Sequence, residues 1–578
     1  MIMKGRYFNF VNKQFFYFCE HTLPTASASG GGNGFGAQHL GLAHMSGRIR
    51  KGTTVINKKE KWGFATLRKE LDWPLIILPL FVIIALCTVF MLAPEQSTEI
   101  MDSIRGFLGN ELGSFYIVLG LCIILITFYI AFSPYGKIRL GKLDKPQYND
   151  FQWATMIFTG VFAADIIFYS FIEWALYAGE ARIEELGGMQ AWASTYPLFH
   201  WGPIPWSFYV ILAVAFGFML HVRGRTKQKF SEACRPLLGS RVDKAPGKII
   251  DFIAILAIIA GTATTFSLAT PLLAASLSRV FGFPMTVGLT VVVLLIVAAV
   301  YTISVLSGIE GIIVSAKACT ILFFFLLAYV LFFGGEARYI IETGITSIGN
   351  LTQNFIGMAT WMDPLRTSGD GTTGFVQSWT VFYWAYWMAW CVGTPFFIGM
   401  ISKGRTIKNV ILGTYGYGLA GTFLSFIIFG NYGLAQQLKG NVDIIGMVQG
   451  GLDINQGIIQ IFETLPFTEV LLVILFVMLV TFYSTTFDSL TIVISAYSYK
   501  NLEPETESAR PVKAFWALAF IVFPIALIFA ENSISSLQSV SIIAAFPIGI
   551  VFCLIIGSFF KDAKNYLSEQ SPNSLETK

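Results

Sequence analysis

Hydrophobic positions form long, uninterrupted blocks along this chain. Residues 73–93 pass without a charge, and a block of about twenty apolar residues can cross the hydrocarbon core of a bilayer as a helix. The helix is required because lipid offers the backbone no hydrogen-bond partners. About twelve such blocks occur up to residue 560, so the pattern predicts an all-α polytopic membrane protein. The predicted spans cover residues 73–93, 114–133, 154–178, 199–222, 248–278, 284–306, 317–335, 378–402, 409–430, 467–498, 513–531 and 538–560.

Polar residues between the blocks alternate in charge. Basic loops follow the second, fourth and eighth spans, whereas the intervening loops are acidic or neutral. The loop after the sixth span is the exception, because it carries little charge. The positive-inside rule therefore predicts that both termini lie in the cytoplasm. We expect a multi-pass protein of the plasma (inner) membrane.

The ends of the chain differ from the hydrophobic part. Residues 27–34 are a low-complexity stretch, and no signal-peptide pattern precedes them. We predict a disordered cytoplasmic tail over residues 1–68, a membrane domain over 69–560 and a short cytoplasmic tail over 561–578. An upstream start-site artefact is the alternative interpretation of the first sixty residues.

Composition excludes several classes of protein. Hydrophobic residues make up 54% of the chain and charged residues 13%, which is too apolar for a soluble protein of this length. A net charge of +4 is too weak to indicate nucleic-acid binding. The seven cysteines form no CxxC pair, and only His200 and His221 lie in spans, so we predict no metal site and no cofactor.

An aromatic stripe occupies the eighth span, over residues 379–390. At 100° per residue, five of its rings fall within roughly a 100° arc, and Trp384 points elsewhere. The stripe runs for about three turns, whereas aromatic belts sit at the membrane interfaces. Packing against neighbouring helices is one interpretation. The other is a path for a quaternary ammonium ion, which has no N–H to donate and is recognised by ring faces. The five rings are those of Trp379, Tyr383, Tyr386, Trp387 and Trp390.

A second aromatic cluster opens the fourth span, over residues 198–209. Its prolines, Pro203 and Pro205, fit the start of a helix, where a missing N–H costs little. Trp206 and Tyr209 are three residues apart and share a helix face.

An isolated acid, Asp165, lies within the third span. A carboxylate at membrane depth costs roughly 2.5–3.5 kcal/mol on insertion scales, so such a residue faces the protein interior and has a role. A hydrogen bond to a neighbouring helix is the structural interpretation, and proton coupling is the functional one.

Together these segments resemble the betaine/carnitine/choline transporter family. The tryptophan-rich stripe, followed by SKGRT at residues 402–406, is similar to that family's signature, and the resemblance covers about residues 70 to 560. It implies the fold of the sodium/amino-acid transporters, with inverted five-helix repeats in spans 3–7 and 8–12 behind two accessory spans. It also implies a homotrimer in the lipid bilayer and a small quaternary-ammonium substrate.

The resemblance assigns roles by position. Trp201, Trp206, Tyr209 and Trp387 correspond to the family's central aromatic box, and Tyr386 and Trp390 correspond to rings along the inward path. Proton-coupled choline members carry an acid that matches Asp165. Thr485 and Thr486 match the hydroxyl pair that ligates sodium in sodium-coupled members, although threonine hydroxyls also bond the preceding helical turn. The stretch GTATT at residues 261–265 is assigned to helix packing first.

We therefore expect a secondary transporter that imports choline, glycine betaine or a similar compound with a proton. A sodium-coupled betaine symporter and a carnitine-type exchanger are the alternatives within the family. An intramembrane enzyme is the alternative from another class, but the spans contain no HExxH, no GxSxG and no histidine–carboxylate constellation.

Overall fold

A computed structural model describes the chain from residue 64 to residue 570, with short gaps. The gaps are Ala163, Thr226, Gly308 and residues 370–372, 503–505 and 530–533. Nearly all of the predicted N-terminal tail, Cys19 and residues 571–578 thus lie outside the described residues.

Helices account for most of the described chain, and the described residues contain no β-strand. The long helices are Trp73–Leu92, Pro94–Gly106, Gly113–Phe132, Asp150–Val161, Ala164–Ala178, Pro203–His221, Ala245–Phe281, Val287–Ser307, Ile309–Phe333, Ala337–Thr360, Val381–Trp390, Ile407–Ser425, Ile454–Glu463, Thr468–Tyr497, Arg510–Phe529 and Ile534–Glu569. Shorter helices are Phe64–Glu70, Ala181–Leu186, Met189–Trp192, Thr195–His200, Phe230–Ala233, Arg235–Leu238, Thr394–Ile401, Asn431–Leu438 and Ile444–Gln449. Five-residue π-helical turns are Phe107–Glu111, Val376–Thr380 and Phe426–Gly430, and 3₁₀ turns are Pro134–Lys137 and Gly239–Asp243.

Each predicted span falls on helical segments, which in the third and eighth spans form a bent pair, so the prediction of an all-α polytopic membrane protein is confirmed. By length and composition, 9 of the described helices could cross a membrane, or up to 11 if each of two bent pairs is one span. Arg510–Phe529, the predicted eleventh span, is outside that set. The count of twelve and the inverted repeats therefore stay predictions.

Both bent pairs begin a predicted repeat. In the third span, Asp150–Val161 and Ala164–Ala178 meet at 69°, and in the eighth span the segment ending at Trp390 meets Thr394–Ile401 at 54°. The break in the third span follows Val161, and Ala163 lies outside the described residues. The Phe162 backbone is extended, with φ −68° and ψ 112°, which any residue can adopt.

Local signals explain where several spans begin. The third span starts with a capping box, in which the Asn149 side chain accepts from the Gln152 amide at 2.9 Å and the Gln152 side chain accepts from the Asn149 amide at 3.3 Å. Pro203 occupies the first helical turn of the fourth span, as its sequence predicted.

Surface and interior are distributed as a membrane requires. Large apolar side chains point outward, including Phe81 at 67% exposure, Leu125 at 68% and Phe332 at 72%. Polar side chains such as Asp165, Glu173 and Thr265 are buried instead. This distribution suits a chain whose outer surface is solvated by lipid.

The last helix continues into the segment assigned to the C-terminal tail. Ile534–Glu569 is helical throughout, and Asp562 accepts hydrogen bonds from both Arg223, at 2.8 Å, and Arg225, at 2.5 Å. Residues 561–569 are therefore bound to the loop that follows the fourth span.

Candidate functional site

A small cavity lies where the third, fourth and eighth spans meet. Its volume is about 20 Å³, which is enough for about one water molecule and less than a trimethylammonium group requires. A substrate of that size would therefore require the rings to move apart. The lining residues are Val161, Asp165, Ile166, Trp201, Tyr209, Tyr386, Trp387 and Trp390.

Trp387 is the central ring of this site. Its ring centroid lies 5.0 Å from that of Tyr209 and 5.6 Å from that of Trp201, and both pairs meet edge to face. The Trp206 ring lies 5.4 Å from Trp387. The four rings assigned to the box are thus brought together, with Trp206 behind Trp387 and Tyr209 rather than on the cavity wall.

Close approach of the ninth span holds Trp206 in place. A β-carbon at Gly418 would lie 2.5 Å from the Trp206 ring, so only glycine allows this contact. Gly261 faces Trp390, where a β-carbon would lie 3.3 Å from the ring, a tight contact that a small shift of the ring would relieve. The GTATT stretch thus packs against the site, as the first interpretation of that stretch expected.

The aromatic stripe divides into two parts. Tyr386, Trp387 and Trp390 line the cavity, whereas Tyr383 stacks on His200 with centroids 4.9 Å apart and planes at 16°. Trp379 donates its indole N–H to Glu180 at 2.8 Å. Packing between helices therefore explains the N-terminal half of the stripe.

Asp165 is the one acidic side chain among the lining residues, and it is buried. Its Oδ2 accepts a short hydrogen bond from the Tyr386 hydroxyl. The Tyr386 oxygen lies 2.7 Å from Thr265 Oγ1, so Thr265 donates to Tyr386 when Tyr386 donates to Asp165. This network ties the third, fifth and eighth spans together at the cavity.

Several polar atoms around the cavity have no protein partner within the described residues. They are Oδ1 of Asp165 and the indole nitrogens of Trp206, Trp387 and Trp390. Buried polar groups are normally satisfied, so such atoms mark a place where a ligand or water can supply the missing bonds.

The family model for betaine/carnitine/choline transporters matches residues 74–568. The chain belongs to this family. The model covers both bent spans, both aromatic clusters and the buried acid, and it confirms the resemblance that those residues indicated. The chain is accordingly a membrane transporter and not an enzyme.

Curated relatives of this transporter cover most of its length. A glycine betaine transporter, OpuD, from Bacillus subtilis (strain 168) is 28% identical over 477 residues, 82% of this chain and 90% of its own. A carnitine transporter from Acinetobacter baumannii is 28% identical over 439 residues, 75% of this chain and 78% of its own. An ectoine/hydroxyectoine transporter from Virgibacillus pantothenticus is 26% identical over 501 residues, 85% and 96% of the two chains.

The two threonines of the transporter's tenth span lie near the break in the third span. Thr486 donates its hydroxyl to the Phe162 carbonyl at 3.1 Å, across the two helices. Thr485 donates to the Phe482 carbonyl at 3.1 Å, one turn back in its own helix. Neither threonine lines the cavity. The described residues contain no group of three His, Cys, Asp or Glu side chains that could hold a metal ion.

Two residues of this site were missed by the sequence reasoning about binding. Thr265 belongs to the GTATT stretch, and its contact with Tyr386 depends on how the fifth span is rotated. Glu173 is completely buried and accepts the indole N–H of Trp201 at 2.6 Å. The available signal was an acid in an apolar span, the same signal that identified Asp165.

Proposed function

We propose that this transporter imports a small quaternary-ammonium compound, such as choline or glycine betaine, in symport with a proton. The observation that carries the proposal is the cavity in which Trp201, Tyr209 and Trp387 surround a space that also contains Asp165. A cation without N–H groups binds to ring faces, and each desolvated contact is worth about 2 kcal/mol or more. Glycine betaine and carnitine in the names of similar proteins support this substrate class.

Charge within the cavity favours one kind of quaternary ammonium. Asp165 is the acid on its wall, and none of the eight lining side chains is basic. An ionised Asp165 attracts choline, which has a net positive charge. A zwitterion such as glycine betaine brings its own carboxylate, which an ionised Asp165 repels, although the indole N–H groups of Trp387 and Trp390 have no partner within the described residues and are free to donate to it. We therefore propose choline-like cations ahead of zwitterions.

The position of Asp165 supports coupling to a proton. A buried carboxyl at the cavity can be ionised and balance the charge of a bound cation, or it can carry a proton. The Oδ1 atom of Asp165 has no hydrogen-bond partner within the described residues. The hydroxyls of Thr485 and Thr486 already donate to backbone carbonyls. Sodium at those residues would need the hydroxyl protons to turn away from these acceptors. The Thr486–Phe162 contact nevertheless supports sodium coupling as the second candidate.

Uptake by purified protein in proteoliposomes tests this proposal. Labelled choline, glycine betaine and carnitine are offered separately under an imposed inward proton gradient, an inward sodium gradient, or internal substrate alone. We expect choline uptake driven by the proton gradient without sodium. Uptake of none of the three would reject the substrate class, a sodium requirement would establish the second candidate, and uptake only against internal substrate would indicate an exchanger.

Placement and assembly are further parts of the proposal. The alternation of basic loops supports cytoplasmic termini in the plasma (inner) membrane, and the family resemblance supports a homotrimer. Reporter fusions at each terminus and the mass of the detergent-solubilised protein test these two statements.

A further inference from the structure

Glu173 is a second buried acid beside the aromatic box, and the transport mechanism above does not use it. It lies in the third span with no exposed surface. Each carboxyl oxygen has its own donor: Oε2 accepts the Trp201 indole N–H at 2.6 Å, and Oε1 accepts the Tyr177 hydroxyl at 2.7 Å. Each oxygen of this acid thus has one donor, and among the described residues no Lys or Arg side chain pairs with it.

A chain of hydrogen bonds through Tyr177, His200 and Thr380 holds the other oxygen of the acid, Oε1. The Tyr177 oxygen lies 2.8 Å from His200 Nδ1, and His200 Nε2 lies 2.9 Å from Thr380 Oγ1. Because Tyr177 donates to Glu173, it accepts from His200, which places the proton of a neutral imidazole on Nδ1. Thr380 then donates to Nε2. The orientation of Glu173 is thus determined by residues of three helical segments.

Trp201 connects this acid to the substrate cavity. Its ring forms part of the cavity wall and stacks on Phe426 at 5.4 Å with planes at 30°. Its N–H is directed to Glu173. An indole that donates to a carboxylate carries more electron density on its ring face, and in a low-dielectric interior that density strengthens attraction to a cation.

We propose that Glu173 is a positioning and specificity-determining residue, which holds Trp201 by its indole N–H and raises the preference of the box for cations over neutral compounds of the same shape. The inference rests on the proposed substrate class. It assigns a role to an acid that touches the ring and not the substrate.

The test compares a cation with its neutral carbon isostere. The dissociation constants of choline and of 3,3-dimethylbutan-1-ol are measured by calorimetry on the purified full chain and on Glu173→Gln. Gln keeps an oxygen for the Trp201 N–H and removes the charge. At a separation on the order of 10 Å and an effective dielectric constant of about 20, Coulomb's law gives about a tenfold weaker binding of choline. Binding of the neutral alcohol should stay unchanged.

A matched control exists in the same helical region. Glu180 also accepts an indole N–H, that of Trp379 at 2.8 Å, but Trp379 is outside the cavity wall. Glu180→Gln should therefore leave both dissociation constants unchanged.

Three results would overturn the inference. Unchanged choline binding in Glu173→Gln would mean that no charge acts on the ring, and equal weakening for both compounds would mean a structural role. If Glu173→Gln cannot be purified in folded form, Glu173→Asp is measured in its place, because the shorter side chain moves the carboxyl group away from the Trp201 indole. Wild-type affinity for choline in Glu173→Asp would also reject the inference. Absence of choline binding in the wild type would reject the proposed substrate class instead.

Discussion

Replacing Trp387 by alanine is the most direct perturbation of the box. Trp387 is 3% exposed, and its ring contacts those of Trp201, Trp206 and Tyr209. Trp387→Ala deletes the central face that a bound cation would contact. It also opens a void in a tightly packed core, and a Trp→Ala change of that kind costs about 3–5 kcal/mol of folding stability.

The expected loss of binding is smaller than this loss of stability and is separable from it. One desolvated cation–π contact is worth about 2 kcal/mol, so its loss raises the dissociation constant about thirtyfold. Trp387→Ala should therefore bind choline at least about thirtyfold more weakly and lose uptake. Calorimetry on folded protein, selected by gel filtration and circular dichroism, measures the affinity, and proteoliposomes measure uptake.

Trp384 is the matched control for this prediction. It is equally buried on the same helix but faces away from the box, with its ring 5.9 Å from Phe199 and against Gly120. Trp384→Ala should lose a comparable stability while retaining choline affinity. Near-normal affinity in folded Trp387→Ala, or an equal loss in both variants, would refute the assignment of Trp387 to a cation site.

Three further predictions follow from other parts of the chain. A tert-butyl isostere of the substrate, which keeps the shape and deletes the charge, should bind at least about thirtyfold more weakly, and equal competition would make the box a hydrophobic slot. Asp165→Asn should stop or uncouple uptake driven by a pH gradient; uptake that needs sodium and survives this change would make Asp165 structural. Hydrogen bonds from Arg235 and Lys227 lower the pKa of Asp243, in the loop after the fourth span, well below its usual value. These hydrogen bonds contribute fully to loop stability above about pH 4, and the contribution is lost as the pH falls through the lowered pKa. Hydrogen exchange should therefore show the loop protected at about pH 7, and Asp243→Asn should remove that protection.

Sequence periodicity predicted the spans because the bilayer imposes one rule on every lipid-exposed segment. An apolar block of about twenty residues has no alternative to a helix in lipid, so its length and place are readable without tertiary information. The same reasoning identified Asp165, because a carboxylate in such a block needs a protein environment. Breaks within spans were harder to predict, because the extended backbone at Phe162 is one that any residue can adopt.

The aromatic stripe shows the limit of helical periodicity. A 100° arc indicated which rings share a face of the eighth span, and it separated Trp384 correctly. Periodicity could not tell which rings of that face line the cavity and which pack against other helices. Tyr383 packs on His200 and Trp387 lines the cavity, because their partners come from other helices. Rotation and contact of neighbouring helices decide that difference.

By itself, the sequence determined the fold class, the family, the rings of both aromatic clusters and one buried acid, Asp165. Those properties depend on the cost of exposing or burying each side chain, which is local to the residue. Only the tertiary structure decided which buried groups meet: Tyr386 with Asp165 and Thr265, and Glu173 with the N–H of Trp201. These contacts join residues distant in sequence, and their geometry is set by how the helices pack, which no single segment encodes.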